Sequence, residues 1–334
     1  MSTVFVSGAS GFIASHTVQQ LLNQGYTVIG SVRSESKGEA LSKALKNDKK
    51  FSYVIVSNIA DAGAFDSVLK AHPEITGFLH IASPFRMNVT DPEKETLIPA
   101  IQGTKNVLES IQKHAPQISR VVITSSDCAA RENDDKNPNI TLDESVWSKA
   151  TYESSKSEPV LAYLGSKPLA ERLAWDFVKT EKPTFELVTV LPSYTFGPQI
   201  DDSLISPYLN QSTQVLESML YSNPDSKLHH HIGSFIDVRD AARAHLVALT
   251  SKEAPNHRLI LSSSRFTAQS VYDILSKQYP QLNTFKGEPG SDVAEIATLQ
   301  KLDYSKTKKI LGFEYIPLKK SVVDTVDQIL SVRA

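Results

Sequence analysis

An α/β fold, with a doubly wound parallel sheet flanked by helices and a smaller C-terminal α/β domain, is what this 334-residue sequence predicts. Three observations carry the prediction. Short apolar, β-branched runs recur at Thr3–Ser7, Thr27–Val32, Ser52–Ser57 and Gly77–Ala82, with starts 24, 25 and 25 residues apart. Between them lie apolar residues at helical spacing, such as Ile13, Val18, Leu21 and Leu22, closed by Gly25 in a helix-stop position. A glycine-rich turn follows the first run directly. Strands apolar on both faces that alternate with helices form a parallel sheet covered on both sides.

The elements follow in order. The first strand runs into Ser7-Gly8-Ala9-Ser10-Gly11-Phe12-Ile13-Ala14. Glycines there let the backbone turn tightly and approach a pyrophosphate, which rests on the positive helix N-terminus. Gly8, Ser10, Gly11, Phe12 and Ile13 are therefore candidate dinucleotide contacts, although the Gly-x-x-Gly-x-x-Ala spacing would also suit a plain helix-capping turn. The second strand ends Gly30-Ser31-Val32-Arg33-Ser34, without the carboxylate that binds a ribose 2′-hydroxyl in NAD sites. Arg33 and Lys37 offer charge-assisted donors for a 2′-phosphate, which makes NADPH (NADP+) the expected cofactor, with Glu35 close enough to compete. Beyond the third strand Asn58, with Ile59 beside it, is placed to meet the adenine; a turn residue there would look the same.

Further strands are expected at Arg120–Ser125 and Glu186–Leu191. After about residue 193 the rhythm breaks: Pro192, Pro198 and Pro207 fall close together, then helices alternate with isolated strands at Ser234–Val238 and Arg258–Leu261. Residues 1–192 are read as a Rossmann dinucleotide-binding domain, with 232–250 returning to it, and 193–334 as mainly a substrate-binding domain. The stretches Arg131–Pro138 and Tyr152–Pro159 read as surface loops.

Composition excludes several classes. The 35 basic and 37 acidic side chains leave a formal charge of −2, without the basic excess that neutralises nucleic-acid phosphates. Cys128 is the sole cysteine, so an internal disulfide and a cysteine-rich zinc site are ruled out and a reducing compartment fits. His229, His230 and His231 are adjacent, and three adjacent positions rarely converge on one ion; no metal is expected. No apolar run approaches the roughly 18 residues that span a bilayer, and Met1-Ser2-Thr3 leads straight into a strand. The expectation is a cytoplasmic monomer or homodimer with neither nucleic-acid nor membrane partners.

A Tyr-x-x-x-Lys pair sets phenol and ammonium one helical turn apart on one face. With 11 tyrosines, chance yields roughly one such pair. The sequence holds Tyr152/Lys156, Tyr163/Lys167, Tyr304/Lys308 and Tyr315/Lys319. Tyr315/Lys319 straddles Pro317, Tyr304/Lys308 lies far from the nucleotide-domain strands, and Tyr152/Lys156 has no apolar stripe. Tyr163/Lys167 begins a stripe through Ala170, Leu173, Ala174 and Phe177, so its helix can dock on the sheet. Thr124-Ser125-Ser126 ends a strand at the carboxyl edge, where ligands bind. Together these point to carbonyl chemistry, with Tyr163 protonating the oxygen as hydride arrives. A lysine ammonium about 4 Å away at an effective dielectric of about 20 would lower the tyrosine pKa by up to about three.

The sequence resembles the extended short-chain dehydrogenase/reductases over nearly its whole length. The likeness is greatest to NADPH-dependent methylglyoxal/isovaleraldehyde reductases of yeast and dihydroflavonol-reductase-like carbonyl reductases. The matching stretches are 4–14 (VFVSGASGFIA), 80–85 (HIASPF), 124–126 (TSS), 162–167 (AYLGSK), 192–198 (PSYTFGP) and 235–245 (FIDVRDAARAH). The resemblance implies Ser126, Tyr163 and Lys167 as catalytic residues, with Lys167 also holding the nicotinamide ribose. It implies that Pro192 to Thr195 line the nicotinamide carboxamide and that Ala82, Ser83 and Phe85 flank cofactor and substrate. Phe85, Asp127, Arg131, Val160 and Tyr194 would wall the pocket for a small carbonyl substrate.

Several residues depart from that family's pattern. Asp127 follows the catalytic serine where an aromatic or small apolar residue is usual, and Arg131 replaces an apolar one. The two charges either pair and sit inert or favour polar carbonyls. Leu191 replaces an Asn or His, and Pro168 after Lys167 threatens a kink in the catalytic helix. Other readings of the same fold are a sugar-nucleotide epimerase or dehydratase, using Arg239, Arg243, Arg258 and Arg265 on a diphosphate, and a non-catalytic NADP(H)-sensing protein.

Overall fold

The structure is a computed structural model that describes residues 2–83, 89–131, 136–205, 209–223, 225 and 231–333. Along the chain run β1 (Thr3–Ser7), α1 (Phe12–Asn23), β2 (Thr27–Val32), α2 (Glu35–Ala44), β3 (Phe51–Ile55), α3 (Asp66–Ala71), β4 (Ile75–His80), α4 (Ile98–His114) and β5 (Arg120–Thr124). There follow β6 (Thr141–Leu142), α5 (Tyr152–Ser155), α6 (Pro159–Glu181), β7 (Glu186–Pro192), β8 (Tyr194–Phe196), α7 (Gln211–Leu220), β9 (Ile232–Asp237), α8 (Val238–Thr250) and β10 (Arg258–Leu261). The chain ends in β11 (Ser264–Thr267), α9 (Ala268–Gln278), α10 (Asp292–Ile296), β12 (Lys301–Leu302), α11 (Ser305–Leu311) and α12 (Leu318–Arg333).

Seven strands form one parallel sheet in the order β10-β7-β5-β4-β1-β2-β3. The order reverses between β1 and β4, and ligands of open α/β sheets bind at such a switch point, outside the carboxyl ends of the strands. Alternation along β1 explains why the sheet is covered twice. Val4 and Val6 join a core with Val18 and Leu21 of α1 and Ala241, Ala244 and Ala248 of α8. Phe5 points the other way, into a core with Val107, Leu108 and Ile111 of α4 and Ala174 of α6. There it stacks on Phe78 at 4.8 Å, with Phe65 edge-on to both.

The expected strands at Thr3–Ser7, Thr27–Val32 and Arg258–Leu261 have those bounds, whereas Gly77–Ala82 is displaced two residues towards the C-terminus of β4. β10 is not an isolated strand. It pairs in parallel with β7 as the outermost strand of the large sheet. β9 belongs instead to a small sheet, parallel to β8 and antiparallel to β11. Under that sheet Phe196, Phe235 and Phe266 meet Leu216 and Met219 of α7, Tyr272 of α9 and Val322, Val326 and Ile329 of α12. Pro168 does not interrupt α6, which runs unbroken from Pro159 to Glu181.

Candidate active site

One cavity of about 740 Å³ runs along the carboxyl edge of the sheet, from Arg33 and Lys37 at one end to Ser126, Tyr163 and Tyr194 at the other. The turn after β1 forms its floor. Gly8 has φ 65°, and a Cβ there would lie 2.9 Å from Ala82 Cα, so the loop can pass beneath the β4 end only as glycine. Gly11 caps α1, and its N–H donates to Gly8 O at 2.8 Å. Ser7 Oγ accepts from the N–H groups of Ile81 and Ala82 and contacts His80 Nδ1 at 2.9 Å. With both acceptor positions filled, the serine proton goes to Nδ1, which agrees with a fully buried His80 held neutral, its pKa lowered to about 3 by burial.

A dinucleotide fits these residues. Gly8 and Gly11 bring backbone without side chains to the cavity, the positive end of α1 lies against it, and Ser10, Phe12 and Ile13 line it with them. Arg33, Ser34 and Lys37 line the same cavity at the end of β2. Glu35 is taken up elsewhere: its carboxylate accepts the Tyr53 hydroxyl proton. Asn58 makes a turn instead of lining the cavity, bonding Asp61 Oδ1 and the Ala60 N–H, while Ile59 and Val56 form the apolar wall.

At the other end three elements converge. Ser126 follows β5 and caps a short 3₁₀ turn, Asp127–Ala130, accepting from the Cys128 N–H at 3.4 Å. Tyr163 and Lys167 project from α6 into the same cavity, with Lys167 Nζ 5.9 Å from the Tyr163 ring centroid. Burial raises the Tyr163 pKa well above the usual phenol range, opposed by a hydrogen bond with Ser126. Burial also lowers Lys167 to about 8. The expected lowering of the tyrosine pKa is therefore not what the structure contains: desolvation of Tyr163 by burial outweighs the interactions that favour its phenolate. Tyr163 stays a proton donor at neutral pH.

The other three Tyr-x-x-x-Lys tyrosines lie elsewhere. Tyr152 donates to Glu93 Oε1 at 2.7 Å, Tyr304 is buried beside Leu191 and Ile260, and Tyr315 contacts Phe313. Pro192 and Thr195 line the cavity, as do Ala82, Ser83, Asp127, Arg131 and Tyr194. Val160 is 49% exposed on the first turn of α6 and is not part of the lining among the described residues. Phe85, His229 and His230 fall outside the described residues. Arg131 Nε lies 3.5 Å from Asp127 Oδ2, so the two unexpected charges pair.

The sequence reading missed the supports beneath the site. Glu171, one turn beyond Lys167 on α6, is buried and accepts from Ser125 and Thr189 hydroxyls at 2.7 and 2.8 Å. Arg258 of β10 donates to Glu171 at 2.7 Å and to the carbonyls of Ala129 and Val146, with its guanidinium 3.7 Å from the Trp147 ring centroid. A buried ion pair with its hydrogen bonds met in this way holds α6, β5 and the turn after Ser126 in one geometry. Helical spacing put Glu171 on the face of Lys167; nothing local in the sequence pointed to Arg258 as its partner. His245 of α8 donates from Nδ1 to Ala241 O and accepts the Thr124 hydroxyl at Nε2, fixing the end of β5.

Residues 4–261 match the model of the NAD dependent epimerase/dehydratase family. The chain belongs to that family. It is an extended short-chain dehydrogenase/reductase, similar over almost all its length to several oxidoreductases. It is 45% identical over 338 residues to the NADPH-dependent methylglyoxal reductase of Saccharomyces cerevisiae, covering 98% of each chain. A ketoreductase of Aspergillus niger is 35% identical, with 98% of this chain and 97% of that one covered. A crystal structure of yeast methylglyoxal/isovaleraldehyde reductase with NADPH superposes with a TM-score of 0.97 at 43% identity, covering 99% of each chain. Of the four arginines expected to serve a sugar diphosphate in an epimerase/dehydratase, none lines the cavity among the described residues. Arg239 bonds Asp237 and Asp324, Arg243 lies over the Phe313 ring, Arg258 holds Glu171, and Arg265 donates to Gln300 O.

Proposed function

We propose that this chain is an NADPH-dependent carbonyl reductase that converts aldehydes, α-dicarbonyls and prochiral ketones to alcohols. The observation that carries the reading is one cavity with basic side chains at the end of β2 and Ser126, Tyr163 and Lys167 together at its opposite end. The names of its similar relatives, reductases of methylglyoxal and ketones, support the same chemistry. When bound, NADPH supplies the hydride that reaches the carbonyl carbon. Tyr163 gives its proton to the carbonyl oxygen, Ser126 donates a hydrogen bond to that oxygen, and Lys167 holds the nicotinamide ribose and attracts the developing phenolate. Arg33 and Lys37 hold the 2′-phosphate. The paired Asp127 and Arg131 offset each other at the rim, which favours small neutral carbonyl compounds. No helix among the described residues is long and apolar enough to cross a membrane. The reading includes a cytoplasmic enzyme, monomer or homodimer, supported by a single, buried cysteine.

The test is loss of reduced-nicotinamide absorbance on adding methylglyoxal, isovaleraldehyde or an aromatic ketone, with NADPH and NADH in parallel. Turnover at lower concentrations of NADPH than of NADH is expected. Tyr163→Phe should abolish it while NADPH still binds; binding without turnover in the unaltered protein would instead favour the sensor reading.

A further inference from the structure

Pro168 stands inside α6, directly after Lys167. Proline has no N–H, so the carbonyl of Leu164, four residues earlier, loses its helical donor. Leu164 adjoins Tyr163 and lines the same cavity. A buried carbonyl left without a donor is costly, and most find one. Here the donor comes from another element: Cys128 Sγ lies 3.8 Å from Leu164 O. The backbone N–H of Cys128 also donates to Ser126 Oγ at 3.4 Å. One residue thus touches both the turn that carries Ser126 and the helical turn that carries Tyr163. The thiol is buried, and its pKa is pushed up to about 11, so at neutral pH it is a protonated donor and no nucleophile.

We propose that Cys128 is a positioning residue of the active site, its thiol serving the Leu164 carbonyl that Pro168 leaves open and so setting Tyr163 relative to Ser126. The proposal rests on Ser126 and Tyr163 as the catalytic pair. A thiol is a weak donor, so its contribution is to geometry more than to stability.

The test is a double-mutant cycle with NADPH-dependent reduction as the readout. Cys128→Ala is expected to lower kcat about 3- to 10-fold, with KM for NADPH within about twofold. Cys128→Ser, which keeps a donor, should lose less. In a Pro168→Ala background a backbone N–H returns to serve Leu164 O, and adding Cys128→Ala should then cost under about 1.5-fold. An unchanged kcat in Cys128→Ala, or an equal loss in both backgrounds, overturns the proposal. Rescue by Cys128→Ser, which returns a donor to the Leu164 carbonyl, adds a readout that loosened packing alone would not move. With one cysteine in the chain, the infrared S–H stretch is a single band. It should lie below the free-thiol frequency in the unaltered protein and rise in Pro168→Ala; a free-thiol band in the unaltered protein refutes the bond even if no variant folds. Tyr163→Phe run alongside separates the two failures. If it stays active, the catalytic assignment falls; if it is dead while Cys128→Ala is silent, only the positioning role falls.

Discussion

The two ends of the cleft are held by different kinds of structure. At the cofactor end the shape is set by backbone: Gly8 at φ 65°, a close approach to Ala82, and main-chain donors fixed by Ser7. At the substrate rim the shape is set by side chains: a pair of charges 3.5 Å apart on Asp127 and Arg131, the Tyr194 ring, and Asn210 to Ser212 at the start of α7. A backbone-built end tolerates almost no change and suits one ligand. A side-chain-built end can be retuned by single substitutions. If that contrast is right, substitutions should abolish binding at the first end and redirect preference at the second.

The largest effect is expected at Gly8. Gly8→Val puts a branched side chain at positive φ and against Ala82 Cα, costs of about 1–3 kcal/mol each from strain and from overpacking. NADPH binding, followed by fluorescence titration, should weaken on the order of 100-fold. A loss under about threefold would mean that the turn is merely a cap. Next comes Arg33→Ala. Charge-assisted hydrogen bonds contribute about 1.5–3 kcal/mol, so NADPH should bind about 10- to 100-fold more weakly while NADH changes little. Equal losses for both cofactors would remove the 2′-phosphate assignment.

The pH profile probes the junction between the ends, where Lys167 stands. Burial has lowered its pKa to about 8, so the ammonium is present below that pH and lost above it. Reduction, which uses the ammonium beside a protonated Tyr163, should therefore hold through neutral pH and fall as pH rises past about 8. Beyond that point the limiting slope is tenfold per pH unit. Alcohol oxidation needs the phenolate beside the ammonium, so it should rise with pH up to about 8 and level off where Lys167 loses its charge. Reduction that stays flat to pH 10 would show that Lys167 keeps its charge and that its burial is offset.

What was legible in the sequence follows the same division. Gly8, Gly11 and the strands beside them declare themselves because backbone demands leave few permitted residues. The Tyr163/Lys167 choice was legible because its helix needs an apolar stripe to dock. Asn58 was ambiguous because an adenine contact and a turn bond use the same amide; in the structure its amide bonds Asp61. The lysine–tyrosine spacing misled on the pKa because a one-turn offset fixes the shared face and not the burial, which raises the Tyr163 pKa. Arg258 was illegible for a different reason. It meets Glu171 across 87 residues of chain, and no local pattern encodes such a partner.

The smallest effect is expected at the rim, and it is the one that tests whether that end can be redirected. Asp127 draws on Arg131 through a contact of 3.5 Å and also accepts from Ser126 Oγ at 3.3 Å. Asp127→Asn keeps the shape and removes the charge. The Asn carbonyl still accepts from Ser126, and any weakening of that contact should slow every substrate alike, because each needs the same serine. Releasing Arg131 should help only substrates that bring a carboxylate, such as 2-oxo acids. A partly exposed ion pair contributes about 0.2–1 kcal/mol, so kcat/KM for glyoxylate relative to methylglyoxal should rise by about two- to fivefold whatever happens to the absolute rates. Arg131→Ala should leave neutral carbonyls nearly unchanged and cancel that gain when combined with Asp127→Asn. A ratio that stays fixed in both variants would mean that the pair is inert packing and that selectivity is set by Tyr194 and the start of α7. A ratio that moves would place the charge preference of this cleft in two side chains on one short turn after Ser126.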